Sequence, residues 1–224
     1  MGTLGVLHTS PVHVPVFDGL RDSDHPGLEL RHHVVEGLLG RARREGADAV
    51  VPAVRDALVR VAGGGDGVAA VLCTCSTIGG VAEALGADLE VPVVRVDRPM
   101  AAAAVAAGSR VVVIATVAST VGPTSALIEE EALRAGRDVS VRAVVVEEAW
   151  ERFEAGDAVG YAESVARAVR AVRDADADVI VLAQASMAGA EALVPEVRAR
   201  VPVLSSPRLG LASAAALAAG SGRG

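Results

Sequence analysis

The sequence predicts an α/β protein made of two pseudo-symmetric, Rossmann-like parallel-sheet domains facing across a cleft. Three observations predict it. Apolar, β-branched runs alternate with Ala-, Leu-, Arg- and Glu-rich stretches of helical spacing along the 224 residues. The apolar runs are continuous, as strands covered on both faces read. An internal repeat recurs at an offset of 108–110 residues, long enough for each copy to form a domain of its own.

The strand runs fall at residues 4–7, 69–72, 91–96, 111–115, 141–146, 179–182 and 201–204. Helical spacing marks 51–61, 81–85, 100–107, 125–135, 158–171 and 190–200, with a C-terminal helix at about 207–219. Asp48, Ser125 and Asp157 are candidate N-caps, since short polar side chains accept hydrogen bonds from the first free N–H groups of a helix. Gly136 is a candidate C-terminal stop. In the repeat, Val91-Pro-Val-Val-Arg-Val-Asp-Arg98 aligns without gaps with Val201-Pro-Val-Leu-Ser-Ser-Pro-Arg208. Val81-Ala-Glu-Ala-Leu85 aligns with Gly189-Ala-Glu-Ala-Leu193, and the strand before Cys75 with the one before Gln184. The run ending at His8-Thr9 matches the one ending at Ala115-Thr116. Residues 1–97 plus 205–224 and residues 98–204 are therefore expected to form the two domains.

Composition excludes several functions. The 21 basic residues are all arginine, asparagine is absent, and Gln184 is the one glutamine. Without lysine there is no Schiff base to pyridoxal phosphate and no phosphate loop of the GxxxxGK[ST] type. Four aromatics (Phe17, Trp150, Phe153, Tyr161) give no stacking platform for single strands. A net charge of -7 argues against nucleic acid and anionic membranes as partners. No apolar run approaches the ~20 residues of a membrane helix, and MGTLGVLHTS lacks the charged leader of a signal peptide. A cytoplasmic location is expected. Cys73 and Cys75, spaced C-x-C, do not form a disulfide framework. No further cysteine or HxxxH pattern supports a metal site.

Ligands of open parallel sheets bind beyond the carboxyl ends of the strands. That places His8, Thr9, Ser10, Cys75, Ser76, Thr77, Asp97, Arg98, Thr116, Glu147, Glu148, Gln184, Ala185, Ser186, Ser205, Ser206 and Arg208 as candidate site residues. Cys75 ends an apolar run just before a helix. Backbone N–H groups there would form an anion site and lower the thiol pKa from about 8.5 toward neutrality. An inert buried cysteine is the alternative, and Cys73 reads as structural. His8 is a candidate acid/base near neutral pH or a hydrogen-bonding residue. Arg98 and Arg208, at matching repeat positions, either clamp a substrate carboxylate or pair with neighbours. Glu147 and Glu148 are either alternative bases or a solvated helix start, beside Trp150 as a possible lid. His13 reads as structural, and His25, His32 and His33 as surface residues.

Thr74-Cys75-Ser76-Thr77 resembles the A-C-N-T strand-end motif of the pyridoxal-independent aspartate/glutamate racemase superfamily. That superfamily includes hydantoin racemases, maleate isomerases and arylmalonate decarboxylases. The resemblance extends over Val6-Leu7-His8-Thr9-Ser10, Val113-Ile114-Ala115-Thr116 and Val181-Leu-Ala-Gln184-Ala-Ser-Met187. It implies a cofactor-independent enzyme acting on a small carboxylate-bearing substrate, without a metal, and a possible homodimer. The family's racemases use one cysteine from each half. Here the first maps onto Cys75, with Ser76 in place of the motif's asparagine, and the second position holds Gln184. A carboxamide neither takes nor returns a proton at neutral pH. What remains is one-sided chemistry by Cys75, protonating an enolate after decarboxylation or adding as a nucleophile to an activated double bond or carbonyl, a different second base (His8, Glu147 or Glu148), or a non-catalytic carboxylate-binding protein on the same fold.

Overall fold

The computed structural model describes residues 2–63, 67–194 and 201–220. They form two compact units, Met1–Asp97 with Pro207–Gly224, and Arg98–Ser206.

The first unit runs β1 (Thr3–His8), α1 (Val14–Asp24), β2 (Glu29–Val34), α2 (Leu38–Glu45), α3 (Val51–Gly63), β3 (Val68–Cys73), α4 (Ser76–Leu85) and β4 (Val93–Arg95). A late helix, Ser206–Gly220, belongs almost wholly to this unit. The sheet order is β2-β1-β3-β4 and every pairing is parallel. Alternation along the central strands explains why they read as unbroken apolar runs. Leu7, Val71 and Cys73 pack with Val54, Leu58 and Ile78 from the helices on one face. Leu4, Val6, Ala70 and Leu72 pack with Phe17, Leu211 and Ala214 on the other.

The second unit runs α5 (Arg98–Ala107), β5 (Arg110–Ala115), α6 (Val121–Ala135), β6 (Ser140–Val145), α7 (Glu147–Glu154), α8 (Ala158–Ala171), β7 (Val179–Leu182) and β8 (Val203–Ser205). The Ser206–Gly220 helix is α9. The sheet order, β6-β5-β7-β8, is again wholly parallel. It repeats the first unit strand for strand, the structural form of the internal repeat. Val112, Ile114, Ile180 and Leu182 pack against Tyr161, Val165 and Val169 of α8. Gly136 ends α6 in the left-handed region, φ 62, a conformation that a Cβ would strain.

All seven expected strands are present. Asp157 caps α8, its carboxylate accepting from Gly160 N at 2.9 Å. Two N-cap expectations are corrected. Asp48 opens a 3-10 turn ahead of α3 without a side-chain cap, and Ser125 lies inside α6. The expected helix at 190–200 is a 3-10 stretch, Ala185–Leu193, in its described part; residues 195–200 lie outside the described residues. The polar stretch around His25–His33 is corrected too. It contains the edge strand β2, whose His32 and His33 are half-buried rather than on the surface. An edge strand with one paired neighbour carries no apolar run to betray it.

Candidate functional site

In the first unit, the strand ends gather Thr9, Cys75 and Thr77. Cys75 is the N-cap residue of α4, in extended backbone (φ -107, ψ 112). The α4 N–H groups of Thr77 and Ile78 and the Thr9 hydroxyl favour its thiolate, yet burial outweighs them and pushes the Cys75 thiol above its ordinary value. The nearby Asp97 carboxylate adds to the rise. This corrects the expected pull toward neutrality: the resting group is a neutral thiol. Cys73 is fully buried, pushed up to about 12 chiefly by that burial, and chemically inert.

Asp97 is buried in a bidentate pair with Arg95, 2.6 Å from Nε to Oδ1 and 2.9 Å from Nη2 to Oδ2. The Arg95 guanidinium lies against Gly79 of α4, where a Cβ would come within 3.1 Å of Nε. The glycine pair at the start of α4 thus makes room for this ion pair. Thr77 Oγ1 is buried without a hydrogen-bond partner, and Ser76 is buried beside it. Ser10 follows at the start of a 3-10 turn, half-exposed.

His8 is fully buried at the end of β1. Its Nδ1 lies 2.9 Å from Thr74 Oγ1, and its Nε2 lies 2.8 Å from His32 Nδ1. Burial, reinforced by His32 and His13, lowers its pKa to about 3. His8 is therefore not an acid/base near neutral pH; the hydrogen-bonding alternative describes it. Burial also lowers His13, to about 4.

In the second unit, Gln184 sits two residues beyond β7, as Cys75 sits two beyond β3. Its Oε1 accepts from Thr116 N at 2.7 Å and its Nε2 donates to Thr116 Oγ1 at 2.8 Å. The Thr116 hydroxyl lies 3.4 Å from the Tyr161 hydroxyl, which lies 2.7 Å from Ser186 Oγ. Tyr161 is buried, and burial pushes its phenol up. Ala185 is buried at the start of the 3-10 stretch. Tyr161 was missed in the sequence because it lies in a helix, in the first turn of α8, and not at a strand end; being the one tyrosine was its signal.

Other candidates stand apart from these clusters. Arg98 is paired within its unit with Glu131 at 2.5 Å and Glu130 at 3.2 Å. Arg208 is largely exposed and paired with Asp24. Glu147 and Glu148 form the exposed first turn of α7. A cavity of about 830 Å³ lies at the opposite, amino ends of β1 and β3. It is lined by Gly2, Leu28, Val68, Ala215 and Ala218, with His25 as its titratable group. No set of three or more His, Cys, Asp or Glu side chains able to hold a metal occurs among the described residues. No described helix is long and apolar enough to cross a membrane.

With Cys75 at the carboxyl end of β3 and Gln184 at its counterpart, the comparison with known proteins becomes decisive. The model of the Asp/Glu/hydantoin racemase family matches residues 6–214. The chain belongs to that family. Its fold is shared by a liganded arylmalonate decarboxylase double mutant, in which a glycine has become cysteine and a cysteine serine. That structure is 26% identical, covers 98% of this chain and 94% of its own, and gives a TM-score of 0.66. A glutamate racemase from Bacillus anthracis is 18% identical over 99% and 83%, with a TM-score of 0.72. The Picrophilus torridus aspartate racemase is 15% identical over 99% and 95%, with a TM-score of 0.68. These last two speak for the fold alone. A search of curated proteins gave no match. Membership of the Asp/Glu/hydantoin racemase family agrees with the strand-end resemblance carried by Thr74 to Thr77.

Proposed function

We propose that this chain is a cofactor-independent enzyme in which Cys75 delivers a proton, from one side only, to a small carboxylate-bearing substrate. The observation that carries this reading is the sulfur's setting. Thr9, Thr77 and Ile78 favour its thiolate, and burial outweighs them and keeps it a neutral thiol. A neutral thiol is ready to give a proton to a carbanion, whereas a thiolate would be ready to take one. Gln184, at the equivalent place in the repeat, has no titratable proton, so the two-thiol exchange of a racemase has no second partner.

Decarboxylation fits these parts. A substrate with two carboxylates on one carbon loses one as CO2, and the electron pair of the broken C–C bond passes into the remaining carboxylate as an enediolate. The S–H of Cys75 protonates the carbon, and water reprotonates the thiolate. The balance is one CO2 released and one solvent proton consumed. The buried, unpartnered Thr77 hydroxyl supports carboxylate binding beside the sulfur, since pairing it recovers the ~1–3 kcal/mol that an unmet buried polar group costs. The similarity to an arylmalonate decarboxylase variant in which a glycine has become cysteine and a cysteine serine supports the same reading.

CO2 release from 2-alkyl-2-arylmalonates tests it. The wild-type chain should turn over at least one such substrate, and Cys75→Ala should lower kcat by about 10²–10⁴, the usual worth of a positioned acid. Activity should persist through neutral pH. It should fall only on the alkaline side, as the thiol ionises above its ordinary value of about 8.5. Undiminished turnover by Cys75→Ala would contradict the reading. So would ligand-induced thermal stabilisation with no turnover of any malonate, the behaviour of a binding protein.

A further inference from the structure

A chain of hydrogen bonds behind Cys75 is one proton short when both of its imidazoles are neutral. It starts on α1, where Asp18 Oδ1 lies 3.3 Å from His32 Nε2. It continues through His32 Nδ1 and His8 Nε2, 2.8 Å apart, and from His8 Nδ1 to Thr74 Oγ1 at 2.9 Å. It ends where Thr74 Oγ1 lies 3.1 Å from the carbonyl oxygen of Leu7. The carboxylate and the carbonyl at the two ends only accept. Four contacts therefore need four hydrogens, and two neutral imidazoles with one hydroxyl supply three. One added proton, placed on His32, completes the set. His32 then donates to Asp18 and to His8, His8 donates through Nδ1 to Thr74, and Thr74 donates to Leu7.

The geometry points to His32 as the seat of that added proton, and to Asp18, His32 and His8 as positioning residues that hold Cys75 through a proton-dependent clamp. His32 is the half-buried ring, with 15% of its side chain exposed, and it touches the carboxylate. His8 is fully buried, and its depressed pKa of about 3 keeps it neutral. The clamp joins the two strand ends that build the thiol's setting. Thr74 also donates its backbone N–H to Leu7 O, at 3.0 Å, and leads directly into Cys75. His8 leads into Thr9, whose hydroxyl favours the Cys75 thiolate.

When the proton leaves, His32 Nδ1 becomes an acceptor and His8 must serve it from Nε2. The Thr74 hydroxyl then turns to His8 Nδ1 and its bond to Leu7 is lost. The other charged and titratable neighbours come from each packed element. Arg21 on α1 pairs with Asp18 at 3.2 Å, and the His13 ring stacks 6.3 Å from His8. Both oppose the added charge, while Asp18 favours it. On β2, Arg31 pairs with Glu29 and His33 follows His32 in the strand; beyond Thr74 stand Cys75 and Asp97.

This inference rests on Cys75 being the reactive group, but its test needs no substrate, so the two fail separately. Nitrogen-15 NMR of the imidazoles reads the clamp directly. In the clamped form His32 should carry two ring protons and His8 one, on Nδ1. As pH rises, His32 should lose its Nδ1 proton, and His8 should switch to the Nε2–H form at the same midpoint without changing its proton count. A His8 that keeps one tautomer throughout, or a His32 that never holds two protons, overturns the clamp.

Iodoacetamide alkylation of Cys75 reads the coupling. In the wild type, loss of one supporting hydrogen bond should slow alkylation roughly three- to tenfold relative to a single thiol titration, across the His32 step. Asp18→Asn removes the carboxylate beside His32 and should move the step to lower pH. His32→Phe should abolish the step. A step that Asp18→Asn leaves in place overturns the coupling.

Discussion

At the scale of single residues, Cys75 is decided by two opposed effects of its position. The N-terminus of α4 and the Thr9 hydroxyl favour its thiolate, and burial disfavours it more. Thr9→Val removes one donor. It should raise the thiol pKa further and slow alkylation by roughly tenfold at neutral pH, about the upper worth of a single hydrogen bond; an unchanged rate would remove Thr9 from the site. Gln184 is decided by its partner. Both ends of its amide are spent on Thr116, so Gln184→Leu should leave Thr116 N–H buried and unmet. Urea denaturation should show a loss of ~1–3 kcal/mol. Gln184 was legible as the one glutamine, and Cys75 as the cysteine between an apolar run and a helix start. The sign of the Cys75 shift was not, because sequence locates a helix N-terminus but not how deeply a thiol is buried. Tyr161 and His32 were illegible for a related reason: each owes its role to a contact with a distant residue, Ser186 or His8.

At the scale of elements, legibility followed burial on two faces. The central strands β1, β3, β5 and β7 are covered on both sides and announce themselves as continuous apolar runs. β2 does not, and with it went the partners of His8. That strand matters for stability as well as for the site. His8 stays neutral in the fold down to about pH 3, while the unfolded chain protonates it near 6.5. Between those values the unfolded state binds more protons, so stability is complete above about pH 6.5 and declines as pH falls toward 3. The full shift corresponds to about 5 kcal/mol, as an order of magnitude. His8→Gln, which keeps a hydrogen-bonding amide without the titration, should flatten the acid limb in urea denaturation followed against pH. An equally steep limb would place the pH sensitivity elsewhere.

At the scale of the whole molecule, the duplicated strand order β2-β1-β3-β4 and β6-β5-β7-β8 is the feature that ties sequence to family. The repeat was readable because corresponding strands kept their order and offset while their ends diverged. That divergence is where function is written: one strand end keeps a cysteine and its counterpart a carboxamide. The absence of lysine, whatever its cause in composition, excludes a Schiff base to pyridoxal phosphate. One-sided proton delivery by Cys75 is tested most directly by where deuterium goes in D2O. The expected result is one deuteron per molecule at the α-carbon of the decarboxylated product, in a single enantiomer, lost with Cys75→Ala, and none washed into aspartate or glutamate. Rapid incorporation of solvent deuterium into both enantiomers of either amino acid would contradict it.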